Sequence, residues 1–113
     1  MGDQTPAPQL EWSSTLLDGK DVTLAEAEAA VAALGEGWRL PTVKELFSLV
    51  DHGRHAPAID TEKFPDTKSD WYWTGTPCSW NANARWVVYF GGGSVSGYYV
   101  SSYACVRACR ASQ

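Results

Sequence analysis

The sequence predicts an α+β domain in which two helices pack on a mixed, mainly antiparallel sheet. Three observations predict it. Two Thr-x-x-Glu capping boxes, Thr23–Glu26 and Thr42–Glu45, each open a stretch with helical apolar spacing. From Trp71 onward the apolar pattern switches to period two. Helical signals therefore lie in one half of the chain and strand signals in the other, the arrangement of an α+β domain and not of an alternating α/β one. The chain has 113 residues, enough to build one core and too few for two.

In chain order, residues 1–9 read as a flexible N-terminal tail and residues 10–110 as a single domain. Leu10 to Leu17 reads as a short strand closed by the turn Asp18-Gly19-Lys20. Leu24, Ala27, Val31 and Leu34 recur at helical spacing, and Gly35 supplies the stop, which gives a first helix over 24–34. Gly37 to Pro41 is an extended connector, because Pro41 drives Leu40 out of helical geometry. Thr42 opens a second helix over 43–51, with Leu46, Phe47, Leu49 and Val50 on its buried side. Asp51 to Asp70 has no periodicity and reads as a long loop, a feature that is often functional. Trp71–Thr74, the segment around Trp86–Phe90, Ser94–Val100 and Tyr103–Arg110 read as four strands, with Gly91-Gly92-Gly93 as a turn. Trp38, Trp73 and Trp86 are expected to be mostly buried scaffold.

Charge and composition exclude several functions. The net charge is −4 and no Lys/Arg cluster occurs, so a nucleic-acid partner and a basic membrane-surface helix are both disfavoured. No apolar run approaches the ~20 residues of a membrane span, so no membrane insertion is expected. Residues 1–8 resemble neither a secretory signal nor a good acylation signal. Three cysteines, Cys78, Cys105 and Cys109, do not make a disulfide framework and read as reduced, inert thiols. No CxxC accompanies His52 and His55, so no metal is expected, nor any other cofactor. The glycine triplet lies between strands and not before a helix, which is wrong for a phosphate cradle. No nucleophile–base pair or carboxylate pair is visible, so no catalytic residue is assigned and the domain is expected not to be an enzyme.

The informative segment is Gly91 to Cys105. Apart from valines it contains only Gly, Ser, Tyr, Ala and Cys, and Lys and Glu are absent from residue 69 to the end. An ordinary solvent-facing sheet carries Thr, Lys, Glu and Arg. Tyr supplies rigid amphipathic contact area, while Ser, Gly and Asn supply adaptable hydrogen bonds, the chemistry of an antibody paratope. Ser79, Asn81, Tyr89, Ser94, Ser96, Tyr98, Tyr99, Ser101, Ser102 and Tyr103 are therefore expected to form one contiguous, solvent-facing ligand patch. Val95, Val100 and Val106 are expected to anchor the backbone between them. The implied partner is a protein or a surface polymer, and a homo-oligomer is compatible with the sequence.

Gly37-Trp38-Arg39-Leu40-Pro41-Thr42, Glu45-Leu46 and Ser48-Leu49-Val50-Asp51 carry a family resemblance. So do Pro57-Ala58-Ile59-Asp60, Tyr72-Trp73-Thr74, Trp86 to Phe90 and Cys105-Val106-Arg107. Together they resemble the signature of the Lcl C-terminal domain family over residues 10–110. The family is named from bacterial collagen-like surface proteins and is placed among C-type-lectin-like folds. The resemblance implies that fold and a ligand-presenting sheet, but not calcium-dependent sugar binding, because the Glu-Pro-Asn and Trp-Asn-Asp motifs of true lectins are absent.

The chain is also similar to variable proteins of diversity-generating retroelements, which display mutable residues on this fold. There, adenines of AAC codons are randomised, which yields Asn, Asp, His, Tyr, Ser, Gly, Cys and Ala among others but never Lys, Glu, Gln, Trp or Met. Gly91, Gly92, Ser94, Ser96, Gly97, Tyr98, Tyr99, Ser101, Ser102, Tyr103, Ala104 and Cys105 all belong to the reachable set. The alternative is a fixed-specificity bacterial adhesion domain that binds a glycan or matrix polymer. A third reading is an enzyme of the formylglycine-generating kind, which shares the broader architecture and needs a reactive Cys105 or Cys109. For localisation, a cell surface or a phage virion is favoured over the cytoplasm.

Overall fold

A computed structural model of the chain describes residues 9–112. The proposed tail, residues 1–9, lies outside this range except for Gln9, whose carbonyl accepts from Ser112 N at 2.9 Å. Strand β1 (Leu10–Thr15) is followed by helices α1 (Leu24–Ala32) and α2 (Val43–Phe47). Strands β2 (Trp71–Cys78), β3 (Asn81–Tyr89), β4 (Ser94–Tyr99) and β5 (Arg107–Ala111) complete the domain. β2, β3 and β4 form an antiparallel three-stranded sheet in that order, and β1 pairs with β5 in a separate antiparallel sheet. A parallel bridge between Tyr72 and Cys105 ties the segment before β5 to β2.

Both capping boxes form. Thr23 Oγ1 accepts from Glu26 N while Glu26 accepts from Thr23 N at 3.0 Å, and Thr42 and Glu45 repeat the exchange. Each satisfies backbone donors that the helix leaves unpaired. Both helices are shorter than their apolar spacing predicts. α2 has five residues, and beyond its Ser48 C-cap, Leu49 and Val50 continue only as turns, their N–H groups donating to Leu46 and Phe47. β1 stops two residues early because Leu17 and Asp18 take left-handed φ of 55° and 54°.

Strand alternation gives the three-stranded sheet two faces. Trp73 and Val87 face α1 and join Leu24, Ala27, Val31, Ala104, Val106 and Ala108 in one buried cluster. Tyr72 and Val88 face α2 and join Leu46, Ile59, Phe90 and Cys105 in another. The helices thus cover opposite faces. Burying each cluster removes several large apolar side chains from water, at roughly 1.5–3 kcal/mol apiece. Trp73 is fully buried and donates from Nε1 to Val22 O at 2.7 Å.

One expectation needs correction and three need qualification. Trp38 and Trp86 are only half-buried. Trp38 packs at the margin of the α1 cluster, and the Arg110 guanidinium lies 4.4 Å over its ring. Trp86 sits one row beyond the Tyr72–Val88 pair, opposite Gly97 of β4, and its carbonyl accepts from Thr74 Oγ1 at 2.6 Å. The C-terminal strand begins at Arg107 and pairs with β1, not with the sheet of β4, through pairs such as Glu11–Arg110 with its 2.6 Å ion pair. The 51–70 segment is a loop as expected, and part of it covers the core: Ala58 and Ile59 are fully buried, and Ala58 N donates to Phe90 O at 2.6 Å. Arg107, 2% exposed, anchors that loop, donating to Ser13 O, Thr15, Asp66 and Thr67 and lying over the Phe64 ring.

Candidate recognition surface

The ten candidate residues fall into two groups, because consecutive residues of a strand point to opposite faces. Tyr89, Ser94, Ser96 and Tyr98 lie on the α1 face of the sheet. There Trp71 stacks on Tyr89 at 4.8 Å between ring centroids and meets Tyr98 at 5.3 Å. Tyr98 also meets the buried Trp73 edge-on at 6.3 Å and packs against the α1 cluster. Tyr98 is therefore half-buried and is part of the scaffold as well as of the surface. Ser94 is exposed and Ser96 half-buried beside this aromatic row.

Ser79, Asn81, Tyr99, Ser101 and Ser102 gather at one end of the sheet, where the β2–β3 turn and the end of β4 come together. Val100 N donates to Asn83 O at 2.8 Å, and Trp80 meets Tyr99 edge-on at 6.2 Å. Tyr99 (56% exposed) points to the α2 face, away from Tyr98. Tyr103 follows on the next turn and is 62% exposed. The expected patch thus resolves into an aromatic face and a hydroxyl-rich end, with Tyr98 and Tyr99 on opposite faces of the sheet.

Val95 is not an anchor. It is 43% exposed and lines a shallow apolar groove of about 240 Å³ with Val43, Lys44 and Phe47. α2 packs over β2 and β3 and leaves Val95 only partly covered. Val100 and Val106 do pack on the α1 cluster as expected. Sequence reading left Trp71 and Trp80 out of the candidate set and placed Phe47 on the buried side of the second helix, where it is instead 37% exposed. Trp71 and Trp80 stood beside candidate residues, but an aromatic in a strand pattern reads as core unless register and cover are known. Some positions in the codon-reachable run are closed to variation: Ala104 and Cys105 are fully buried, and a Cβ on Gly97 would lie 2.8 Å from Trp80 and 3.0 Å from Cys78.

The hydroxyls of the surface residues are free. Among the described residues, Ser79, Tyr89, Ser94, Ser96, Tyr98, Tyr99, Ser101, Ser102 and Tyr103 make no side-chain hydrogen bond to the rest of the fold. Asn81 alone is engaged, accepting from Asn83 N at 2.8 Å. Their donors and acceptors are left to solvent or to a partner.

No reactive group stands among them. Cys78, Cys105 and Cys109 are unpaired, buried thiols. Burial raises all three above the ordinary thiol range, Cys109 to about 11, which holds them protonated. Cys105 lies within 4.8 Å of Asp21 and Asp70 carboxylate oxygens and donates to Asp21 Oδ1 at 3.3 Å. Asp21 is raised by its hydrogen bond with Asp70 and then by burial. Cys105 was noted from sequence as a thiol, but its grouping with Asp21 and Asp70 was not, because the three are far apart along the chain. His52 is structural: its Nε2 lies 3.1 Å from Gly93 O, and it packs at the positive-φ Gly93, where a Cβ would lie 2.7 Å from Val50. No helix among the described residues is long and apolar enough to cross a membrane.

Residues 5–110 match the family model described as the Lcl C-terminal domain. No curated protein matches the chain.

Proposed function

We propose a recognition function for this chain, which belongs to the Lcl C-terminal domain family. In this reading it is a non-enzymatic domain that binds a protein or a surface polymer. Family membership supports a ligand-binding or adhesion-type domain in general. The observation that carries the finer reading is the set of nine serine and tyrosine hydroxyls that the fold leaves unbonded. A hydroxyl without an intramolecular partner is free to exchange water for a ligand without breaking a bond of the scaffold. Trp71 and Trp80 add flat apolar area beside them, as binding hot spots require. The protonated, buried thiols supply no nucleophile, which favours binding over thiol chemistry.

The surface also suits diversification of the retroelement kind. Ser94, Tyr99, Ser101 and Tyr103 are exposed and tolerate replacement sterically, whereas the closed positions Gly97, Ala104 and Cys105 narrow the variable set. A template repeat beside the gene, differing from it at adenine codons of the exposed positions only, is the expected genomic signature. An identical or absent repeat favours the fixed-specificity adhesion reading.

The binding test displays the domain against panels of proteins and of glycans and matrix polymers. Tyr99→Ser and Tyr103→Ser are expected to abolish capture of the selected target with unfolding unchanged. Capture that survives both substitutions, together with Tyr89→Ser, removes the hydroxyl surface as the binding site.

A further inference from the structure

The free edge of β4 has the hydrogen-bonding pattern and side chains of a pairing surface. Val100 N donates to Asn83 O, which fixes the phase of the β3–β4 ladder. In an antiparallel pair the bonded residues alternate. Ser94, Ser96 and Tyr98 therefore direct their backbone N–H and C=O at β3, and Val95, Gly97 and Tyr99 direct theirs away from it. No described strand pairs with β4 on that side. Tyr99 O accepts from Ser102 N at 2.8 Å and keeps a second lone pair; the Val95 and Gly97 groups have no backbone partner there among the described residues.

Exposed edges are ordinarily guarded by charge or proline. Glu11 guards β1, Pro77 lies in β2, and Arg107 and Arg110 lie in β5, while the central β3 carries Arg85. β4, Ser-Val-Ser-Gly-Tyr-Tyr, carries neither. Its α2 face adds an exposed apolar strip that runs from Phe47 through Val95 and Trp80 to Tyr99.

We propose that this edge pairs with the same edge of a second copy of the chain, antiparallel about a two-fold axis at Gly97. The strand is self-complementary in that register. Gly97 meets Gly97 of the second copy, each offering one donor and one acceptor. Val95 meets Tyr99 of the second copy, and Tyr99 meets its Val95, so each apolar side chain faces another. On the opposite face Ser96 meets Tyr98 of the second copy. No charged side chain of β4 enters the seam, so a net charge of −4 on each chain does not oppose it locally. The pairing makes one six-stranded sheet from two three-stranded ones and places the two Trp71–Tyr98 aromatic faces side by side. A two-fold, isologous contact is the commonest symmetry of homo-oligomers.

Sedimentation of the free protein, from about 1 µM to about 1 mM, reads the association without any ligand. Its outcome is thus independent of the recognition function above. The wild type is expected to pass from monomer to dimer in that range. Val95→Pro removes an outward N–H without touching the β3 ladder, and Val95→Lys places a charge on the seam. Each is expected to weaken association roughly tenfold or more. If Val95→Pro misfolds, Val95→Lys decides, since Val95 is exposed in the monomer. Hydrogen exchange supplies the register: the Val95 and Gly97 amides are expected to slow as dimer forms. A protein that stays monomeric throughout, a dimer insensitive to Val95→Lys, or a dimer whose Val95 and Gly97 amides exchange freely each overturns the proposal.

Discussion

Between residues 10 and 78 most hydroxyl groups, though not those of Ser14 and Ser69, are bonded within the fold, and between residues 79 and 103 they are left over. Thr23 and Thr42 cap helices, Thr15 and Thr67 hold the buried Arg107, and Thr74 donates to Trp86 O at 2.6 Å. Thr76 accepts from Val43 N, and Tyr72 OH accepts from Lys68 N at 2.8 Å. In the later segment none of the nine candidate hydroxyls has such a duty among the described residues. The same functional group is thus structural on one side of the molecule and available on the other. Ser- and Tyr-rich composition is thus available for recognition only where the scaffold does not already use it.

The largest break in this comparison lies in the core. Trp73→Ala is expected to cost about 3–5 kcal/mol, because it empties a fully buried site and removes the indole's hydrogen bond to Val22 O, which keeps only its bond from Ala104 N. Urea unfolding checks it, and a midpoint close to wild type refutes the α1-side core. Tyr98→Ser comes next, at about 2 kcal/mol, since a half-buried ring that meets Trp71 and Trp73 is lost. Tyr99→Ser is expected to stay within about 0.5 kcal/mol of wild type. Two adjacent tyrosines would then differ by strand alternation alone, and equal costs by the same unfolding assay would refute the face assignment.

Much of the scaffold was legible in the sequence because its signals are local. A capping box needs only residues three apart, so Thr23–Glu26 and Thr42–Glu45 located both helix starts. Helix ends were not legible: Leu49 and Val50 keep apolar spacing but run on as turns after α2. Topology was not legible either. Nothing local in Tyr103–Arg110 says that Arg107–Ala111 pairs with β1, which depends on contacts across nearly the whole chain such as Glu11–Arg110. The candidate surface was legible in composition and illegible in facing. Tyr98 and Tyr99 look alike in sequence, and only the β3 register sends one to the α1 cluster and the other to solvent. Val95 failed as an anchor for a related reason, since α2 leaves it only partly covered.

Smaller effects sharpen the comparison. Thr42→Ala is expected to cost about 1 kcal/mol through the lost cap. Ser94→Ala and Ser101→Ala are expected to change stability by less than about 0.5 kcal/mol, because no bond is removed. Thermal unfolding of the three variants side by side checks the contrast. Glu45 adds a pH signature. The Arg39 guanidinium at 2.8 Å, and then the Thr42 cap, hold its carboxyl at about 2 against an ordinary 4.5. Its contribution is complete above the ordinary value and is lost as pH falls through about 2. The pair is substantially exposed, so the loss is under about 1 kcal/mol. Glu45→Gln is expected to flatten the acid limb of stability against pH by that amount, and an unchanged limb would show the pair to be inert.

The most direct test is a paired library. One displayed library randomises Ser79, Ser94, Ser96, Tyr99, Ser101 and Tyr103; a second, of equal size, randomises Thr15, Thr23, Thr42, Thr67, Thr74 and Thr76. Each is sorted first for protease-resistant folding and then for capture of a protein panel. The free-hydroxyl surface predicts that most clones of the first library fold and that different clones capture different targets, while few clones of the second fold. Equal folded fractions in the two libraries, or a folded first library from which no target selects a clone, would contradict it.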